Sequence, residues 1–129
     1  MVKGQSDFGR FRMPDIVVYV IDQHAVTMNV HKVQTTGQQT TTSDATYFTD
    51  GTIAKNVIND RDAESKGFWD GPVLVIRTSM KTKKGENELI VDRWELSENQ
   101  QTLTITSQVT IPEGEVDMKM VCERDNVGR

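Results

Sequence analysis

The regular spacing of turn signals constrains this chain most, because it leaves room only for short strands. Across residues 89–123, apolar and polar residues alternate in three consecutive runs, which Asn99-Gln100 and Pro112–Gly114 separate. Alternation with a period of two is typical of a strand with one buried face. No stretch keeps the period of an amphipathic helix. The sequence therefore predicts an all-β fold with little or no helix.

Predicted turns also divide the rest of the chain. Further turns are predicted at Thr36-Gly37, Asp50-Gly51, Asn59-Asp60, Asp70-Gly71 and Lys84-Gly85. Asp50-Gly51 is the strongest hairpin signal, since both central residues of a type I′ turn need a positive φ. About eight to nine strands at this spacing predict an antiparallel up-and-down meander that forms a barrel or sandwich.

Composition limits the organisation and the partners. The 129 residues predict one domain over 1–129, with residues 1–15 as a polar N-terminal arm. A net charge of −4 argues against a nucleic-acid partner, and the one basic cluster, Lys81–Lys84, is predicted to be a solvated turn. No segment has the length of a membrane span, and no apolar signal region precedes the arm.

Few groups of residues in the sequence are suited to a disulfide, to metal binding or to catalysis. Cys122 is the only cysteine, which excludes an internal disulfide and favours a buried, inert thiol. His24 and His31 are predicted to be solvated strand residues rather than a metal pair. The acids Asp60, Asp62 and Glu64 are better interpreted as a charged outer face than as a calcium site. We therefore predict no catalytic residues, no metal and no cofactor, and a protein that is not an enzyme.

Aromatic residues and one arginine are the remaining candidates for binding. Trp69 and Trp94 lie within predicted strands, where core packing is the leading interpretation. Arg77 shares its face with Val73 and Val75, so it points either outward, which is favoured, or into the interior. An interior position would require an acidic partner or an anionic ligand group.

Several segments resemble a known group of domains. The segment DRWELSENQQTLTI resembles the hairpin DRWxLSxDGKTLTI of small secreted bacterial domains, abundant in acidobacteria and of unknown function. The resemblance extends to QSDFGRFRMPD, YFTDG, FWDGPVLVIRTS and EGEVDMKMVCER. Such domains are similar in pattern to the calycins, the lipocalins and fatty-acid-binding proteins. The resemblance implies a calycin-like (lipocalin-like) barrel, incomplete here, and an extracytoplasmic location, although the chain carries no signal peptide.

The resemblance also implies a cup that holds a ligand. We expect non-catalytic binding of a small apolar or amphipathic molecule, with a cup lined by Tyr19, Tyr47, Trp69, Arg77 and Trp94. The alternative is a structural or protein-interaction module with a filled core, which associates through an exposed sheet edge.

Two expectations concern packing and assembly. The side chains expected to be buried together are Trp94, Leu96, Leu103, Ile105, Val116 and Met118. The opening strand of a lipocalin-type barrel is missing before QSDFG, so the edge of the last strand is expected to be unpaired. Either the N-terminal arm covers that edge with Phe8 and Phe11, or a homodimer forms there, and the dimer is slightly favoured.

Overall fold

The structure, a computed structural model, describes residues 1–9, 11–58, 60–81 and 84–124. Within these residues it contains one three-residue 3-10 helix, Lys3–Gln5, and nine strands. The strands are β1 (Ile16–His24), β2 (Thr27–Thr36), β3 (Gln39–Phe48), β4 (Ala54–Ile58), β5 (Arg61–Asp70), β6 (Val73–Lys81), β7 (Asn87–Leu96), β8 (Thr102–Ile111) and β9 (Gly114–Glu123). The predicted all-β class is confirmed.

The strands form two antiparallel sheets rather than one closed sheet. One sheet has the order β1-β2-β3, and the other runs β4-β5-β6-β7-β8-β9. Every neighbouring pair is consecutive in sequence and antiparallel, so the predicted up-and-down meander is confirmed within each sheet.

Most of the predicted turns join paired strands. Gly37, Gly71 and Gly85 have φ values of +62°, +59° and +81°, which glycine adopts without a steric penalty. Asp60 and Gln100 also have positive φ values, at the turns before β5 and before β8. Asn59, Thr82 and Lys83 belong to predicted turns but lie outside the described residues.

The prediction of a hairpin at Asp50-Gly51 is wrong. β3 and β4 belong to different sheets, so this segment carries the chain from one sheet to the other. Only Gly51 has a positive φ (+85°), whereas a type I′ turn needs two such residues. The Asp50 carboxylate instead accepts a hydrogen bond from the Thr52 N–H at 3.0 Å, which is a local Asx turn.

Side-chain contacts join the two sheets beside β3 and β4. The Asn56 amide accepts a hydrogen bond from the Thr46 N–H and donates one to the Thr46 carbonyl, each at 2.9 Å. This amide therefore replaces the backbone partner that Thr46 would have in a continuous sheet. Close by, Gly67 approaches Phe48 so closely that a Cβ would lie 2.6 Å from the Phe48 carbonyl oxygen.

The N-terminal arm covers the outer edge of β9. Asp7 and Lys119 exchange two backbone hydrogen bonds of 2.7 and 2.6 Å. The Val2 N–H donates to the Val121 carbonyl, and the Val121 N–H donates to the Ser6 hydroxyl. The unpaired β9 edge on which the dimer expectation rested is therefore not found, and backbone contacts hold the arm. The dimer itself stays a prediction.

The apolar core lies between the two sheets. Its buried members come from both sheets: Met28, Val30, Leu74, Ile76, Trp94 and Ile105.

The predicted core is only partly confirmed. Trp94, Ile105 and Val116 are buried, while Leu103 and Met118 are half-buried. The prediction for Leu96 is wrong, since its side chain is 51% exposed. Leu96 is the last residue of β7, where the alternating pattern continues past the covered part of the sheet.

Candidate functional site

Five side chains with polar or aromatic character meet inside the molecule, and we call them the interior cluster. They are Tyr19, Lys32, Tyr47, Asp92 and Trp94. Strand register explains how three of them reach the interior: Tyr19 is paired with Lys32, and Tyr47 with the core residue Met28. Side chains of paired residues lie on the same face of an antiparallel sheet. Asp92 and Trp94 are two residues apart on β7, so they also share a face.

Aromatic contacts connect the two sheets. The ring centroids of Tyr19 and Trp94 lie 5.7 Å apart at an interplanar angle of 65°, an edge-to-face arrangement. The Lys32 ammonium lies 5.7 Å from the centroid of the Tyr19 ring, which places it within cation–π range. Tyr19 and Lys32 belong to the three-stranded sheet, and Trp94 belongs to the six-stranded one.

The two charged members influence each other across the interior. Burial raises the pKa of Asp92, while the Ser107 hydrogen bond and the Lys32 charge oppose that rise. Burial lowers the pKa of Lys32, and the Asp92 charge opposes that fall. The Ser107 hydroxyl donates to the Asp92 carboxylate at 2.5 Å. Each charge thus stabilises the other, although no ion pair within 4.0 Å joins them.

The two phenols are also strongly desolvated. Burial raises the pKa of Tyr47 to about 12, with the nearby Asp92 charge adding to the effect. Burial raises the pKa of Tyr19 still further, and Asp92 again contributes. Both phenols are therefore neutral at physiological pH, and each can donate a hydrogen bond.

The pKa shifts of these groups indicate strong desolvation, although none of the side chains is fully buried. Burial dominates the pKa of Tyr19, Lys32, Tyr47 and Asp92, yet each side chain keeps a partly exposed surface. Protein therefore surrounds these groups on most sides, while part of each side chain stays accessible to solvent.

Several donors of the cluster have no protein acceptor. The indole nitrogen of Trp94 is the only buried side-chain nitrogen or oxygen without a hydrogen bond among the described residues. Trp94 is 9% exposed. The Lys32 ammonium and the hydroxyls of Tyr19 and Tyr47 likewise have no hydrogen-bond partner within the described ranges.

The structure brings together three of the five residues predicted to line a cup. Tyr19 contacts Trp94, and Tyr47 packs against the same core. Trp69 is paired with the core residue Leu74 but lies near the end of β5 and is 50% exposed. Trp69 therefore lies at the margin of the interior rather than within it.

Arg77 does not line the interior. It lies on the face of β6 opposite to Ile76, and its guanidinium carbon is 5.7 Å from the centroid of the Phe68 ring. The exposed guanidinium therefore needs no buried counter-charge, and the outward alternative describes its position.

Sequence reasoning missed Lys32 and Asp92. Both carried a usable signal, because Lys32 has the parity of Met28 and Val30, and Asp92 has the parity of Trp94. A charged residue on the apolar face of a strand is unusual.

The remaining polar candidates lie at the surface. The exposed His31 ring nitrogen Nδ1 lies 2.6 Å from the Asp44 carboxylate, and His24 ends β1 in an exposed position. Within the described part of the chain, no group of three histidine, cysteine or acidic side chains is arranged to hold a metal.

Two grooves also lie outside the interior cluster. One of about 390 Å³ crosses β7, β8 and β9, and one of about 470 Å³ lies between β5, β6 and the start of β7. Both have charges of both signs, and neither is lined by a member of the interior cluster.

Comparison with known proteins adds no family. No model of a protein family matches the chain, and none of the curated proteins is detectably similar to it. Among the described residues, no helix is long and apolar enough to cross a membrane.

Proposed function

We propose that the protein binds a small apolar or amphipathic molecule in the concave space between its sheets, without catalysis. One observation carries the proposal: Tyr19, Lys32, Tyr47 and Asp92 are partly exposed although protein surrounds them closely enough to shift their pKa values. Sites for small molecules are concave, largely apolar and furnished with a few polar groups.

The arrangement supports a ligand with two kinds of surface. The apolar part contacts the rings of Tyr19 and Tyr47 and the side chain of Leu103, which are partly buried and pack against the core. The polar part contacts the ammonium, carboxylate and phenol groups. An amphipathic molecule satisfies both sets of side chains, whereas a purely apolar one leaves the donors unpaired.

We also propose that the two sheets are an incomplete form of the calycin-like barrel, as the resemblance to small secreted bacterial domains implies. The contacts at the two places where the edges of the sheets meet, which we call the seams, support this proposal. Asn56 joins the sheets beside β3, and the arm lies against β9 at the other seam.

The test uses ten-carbon probes and a variant that fills the interior. Calorimetric titration and native mass spectrometry of the wild-type protein are expected to detect binding of decanoate, decanol or decylamine. Ser43 is paired with Lys32 and so faces the interior, and Ser43→Leu is expected to abolish that binding. Thr42→Leu places the same side chain on the opposite, exposed face and is expected to preserve it. Absence of binding by all three probes contradicts the proposal.

A second candidate function rests on β1. This strand ends the three-stranded sheet, and its outward residues Ile16, Val18 and Val20 are each about half exposed. The first half of this edge strand is apolar, and its one charged residue is Asp22, so it favours pairing with another chain. The protein is then an interaction module, and sedimentation at high micromolar concentration distinguishes it, because the binding function needs no self-association.

A further inference from the structure

We propose that the outer face of the six-stranded sheet binds an acidic polysaccharide through four exposed cationic side chains, which we call the basic band. They are Lys66 on β5, Arg77 on β6, Arg93 on β7 and Lys119 on β9. This face lies opposite to the interior cluster, so the proposal does not depend on the binding function proposed above. It rests on strand register, on cations without partners and on the groove that crosses β7, β8 and β9.

Two members of the band lie directly opposite each other. Arg77 is paired with Lys66, and like charges in this position destabilise a sheet. Among the described residues, neither side chain has an ion pair within 4.0 Å. The Arg77 guanidinium lies over the Phe68 ring, at 5.7 Å from its centroid. The fold therefore keeps two neighbouring cations that no carboxylate of the described chain pairs with.

Strand register places the other two cations on the same face. Val75, two residues before Arg77 on β6, is paired with Arg93. Thr106 is paired with both Arg93 and Lys119, so it lies between them. Paired residues, and residues two apart on one strand, share a face of an antiparallel sheet. Because neighbouring strands lie about 4.8 Å apart, the band extends about 19 Å from β5 to β9.

The groove of about 390 Å³ lies at the β9 end of the band. Arg93, Thr106 and Lys119 line it together. Within the described ranges, the Lys119 ammonium has no ion pair, and Arg93 has only a contact of 3.8 Å with the exposed Asp70. An exposed ion pair contributes little to stability, so Arg93 can exchange Asp70 for an anionic group of a ligand.

Positive charge is concentrated in the band against the balance of the whole chain. Two carboxylates also line the groove, those of Asp7 and Asp117, and the first accepts a hydrogen bond from the Gly9 N–H. Four cations and these two acids give a formal charge of +2, on a chain whose net charge is −4. A local excess of one sign attracts ligands of the opposite sign.

The extent and composition of the band favour a polysaccharide with spaced carboxylates. A small anion cannot reach from β5 to β9, whereas an extended polymer can. Thr106 and Gln108 are exposed in the groove and can donate to and accept from hydroxyl groups. Duplex DNA carries one charge per about 1.7 Å, and the exposed acids two residues from Lys66 and Arg93, which are Glu64 and Glu95, repel so dense a polyanion.

The experiment compares a charged with an uncharged polysaccharide. Alginate, a polymer of carboxylate-bearing sugars, and dextran, which has no charge, are titrated into the wild-type protein by calorimetry. Alginate is expected to bind at about 0.05 M salt and to lose most of this binding at about 0.5 M, because salt screens exposed charges. Dextran is expected not to bind.

Two variants remove single cations from the band. Lys66→Gln and Lys119→Gln are each expected to weaken alginate binding about two- to fivefold, which is the contribution of one exposed charge pair. Lys55→Gln is the matched control, since Lys55 is exposed and paired with Glu64 outside the band, and it should bind alginate like the wild type. Urea unfolding verifies that all three variants keep the fold.

The outcomes decide between this proposal and its competitors. Absence of alginate binding at low salt, or equal binding of dextran, overturns it. A loss in Lys55→Gln as large as in Lys66→Gln also overturns it, because net charge then explains the effect. Tighter binding of duplex DNA than of alginate in the same titration assigns the band to a nucleic acid instead. None of these outcomes bears on the interior, which the ten-carbon probes test separately.

Discussion

Desolvation of a few side chains is the most informative property at the scale of single residues. Two phenols, an ammonium and a carboxylate lie where burial governs their protonation. Burial of a charged group is costly unless other groups compensate it. Lys32 and Asp92 compensate each other only partly, because they influence one another without a direct ion pair. Apolar packing does not require two such charges, and the proposed binding site gives them a role.

Alkaline titration tests the burial of the phenols. The protein has only two tyrosines, and the pKa of Tyr47 is raised to about 12 and that of Tyr19 further still. The folded protein is therefore expected to show almost no tyrosinate absorbance at a pH near 10, where an unperturbed tyrosine is half ionised. The guanidinium-unfolded protein is the control and should titrate near pH 10. Ionisation of one tyrosine near pH 10 in the folded state would show that its phenol is solvated.

Asp92 makes stability depend on pH in an unusual direction. Because its pKa is higher in the folded state, its contribution to stability is fully present below the unfolded pKa and is lost as pH rises through the folded pKa. Asp92→Asn abolishes this loss, so the variant is expected to gain stability relative to the wild type as pH rises from 4 towards 7. Urea unfolding at both pH values measures the difference. A gain at low pH instead would mean that the folded state favours the carboxylate.

Sequence reasoning identified the aromatic members of the cluster and missed the charged members, although their parity carried a signal. Tyr19, Tyr47 and Trp94 were selected because large aromatic side chains in strands usually face a core or a ligand. Lys32 and Asp92 escaped selection because charged residues usually lie on exposed faces. Lys32 and Asp92 lie on different sheets, and alternation along one strand carries no information about such distant neighbours.

At the scale of the elements, the seams between the sheets determine how the interior is enclosed. Thr46 would be an edge residue of β3, but the Asn56 amide satisfies both of its backbone groups. Gly67 permits the close approach of Phe48 that this arrangement requires. At this seam, hydrogen bonds from the Asn56 side chain therefore take the place of the backbone hydrogen bonds that join neighbouring strands elsewhere in the meander.

Substitution of Asn56 tests the importance of that seam. Asn56→Ala removes two hydrogen bonds and leaves the partly buried Thr46 backbone groups without partners, so we expect a loss of about 2–3 kcal/mol in the free energy of unfolding. Asn29→Ala is the matched control, since Asn29 is exposed and accepts only the Thr46 hydroxyl. Its expected cost is below about 1 kcal/mol. Equal effects in chemical denaturation would mean that Asn56 does not join the sheets.

Strands and most turns were predictable because their signals are local. Alternation places Asn87–Leu96 at the observed bounds of β7, and glycine marks the turns at Gly37, Gly71 and Gly85. The division into two sheets was not predictable from Asp50-Gly51, since an Asp-Gly pair is compatible both with a hairpin turn and with a connection between sheets. Which strands pair depends on contacts across the interior, and no local signal reports those.

At the scale of the whole molecule, the edges of the two sheets differ in their protection. The arm covers β9 through Val2, Ser6 and Asp7, and Asn56 occupies the exposed edge of β3. Among the described residues, β1 is covered only near its start, where the Met1 ammonium donates to the Val17 carbonyl at 3.1 Å, and its outward side chains from Ile16 to Val20 are apolar. Protected edges resist pairing with other chains, whereas apolar edges without charges promote it. Association of intact protein is therefore expected to use β1 rather than β9.

Release of the arm tests the protection of β9. Asp7→Pro removes the N–H that donates to the Lys119 carbonyl, so the arm is expected to detach and leave the backbone of β9 unpaired. The variant should then self-associate more than the wild type in sedimentation velocity, with the difference growing from low to high micromolar concentration. Asp7→Ala keeps the N–H and loses only the side-chain contact with the Gly9 N–H, so it should sediment like the wild type. If Asp7→Pro also sediments like the wild type, the arm does not guard this edge. If the wild type already forms dimers, the edge of β1 beyond Val17 is the expected contact, and a charge introduced by Val18→Lys should abolish them.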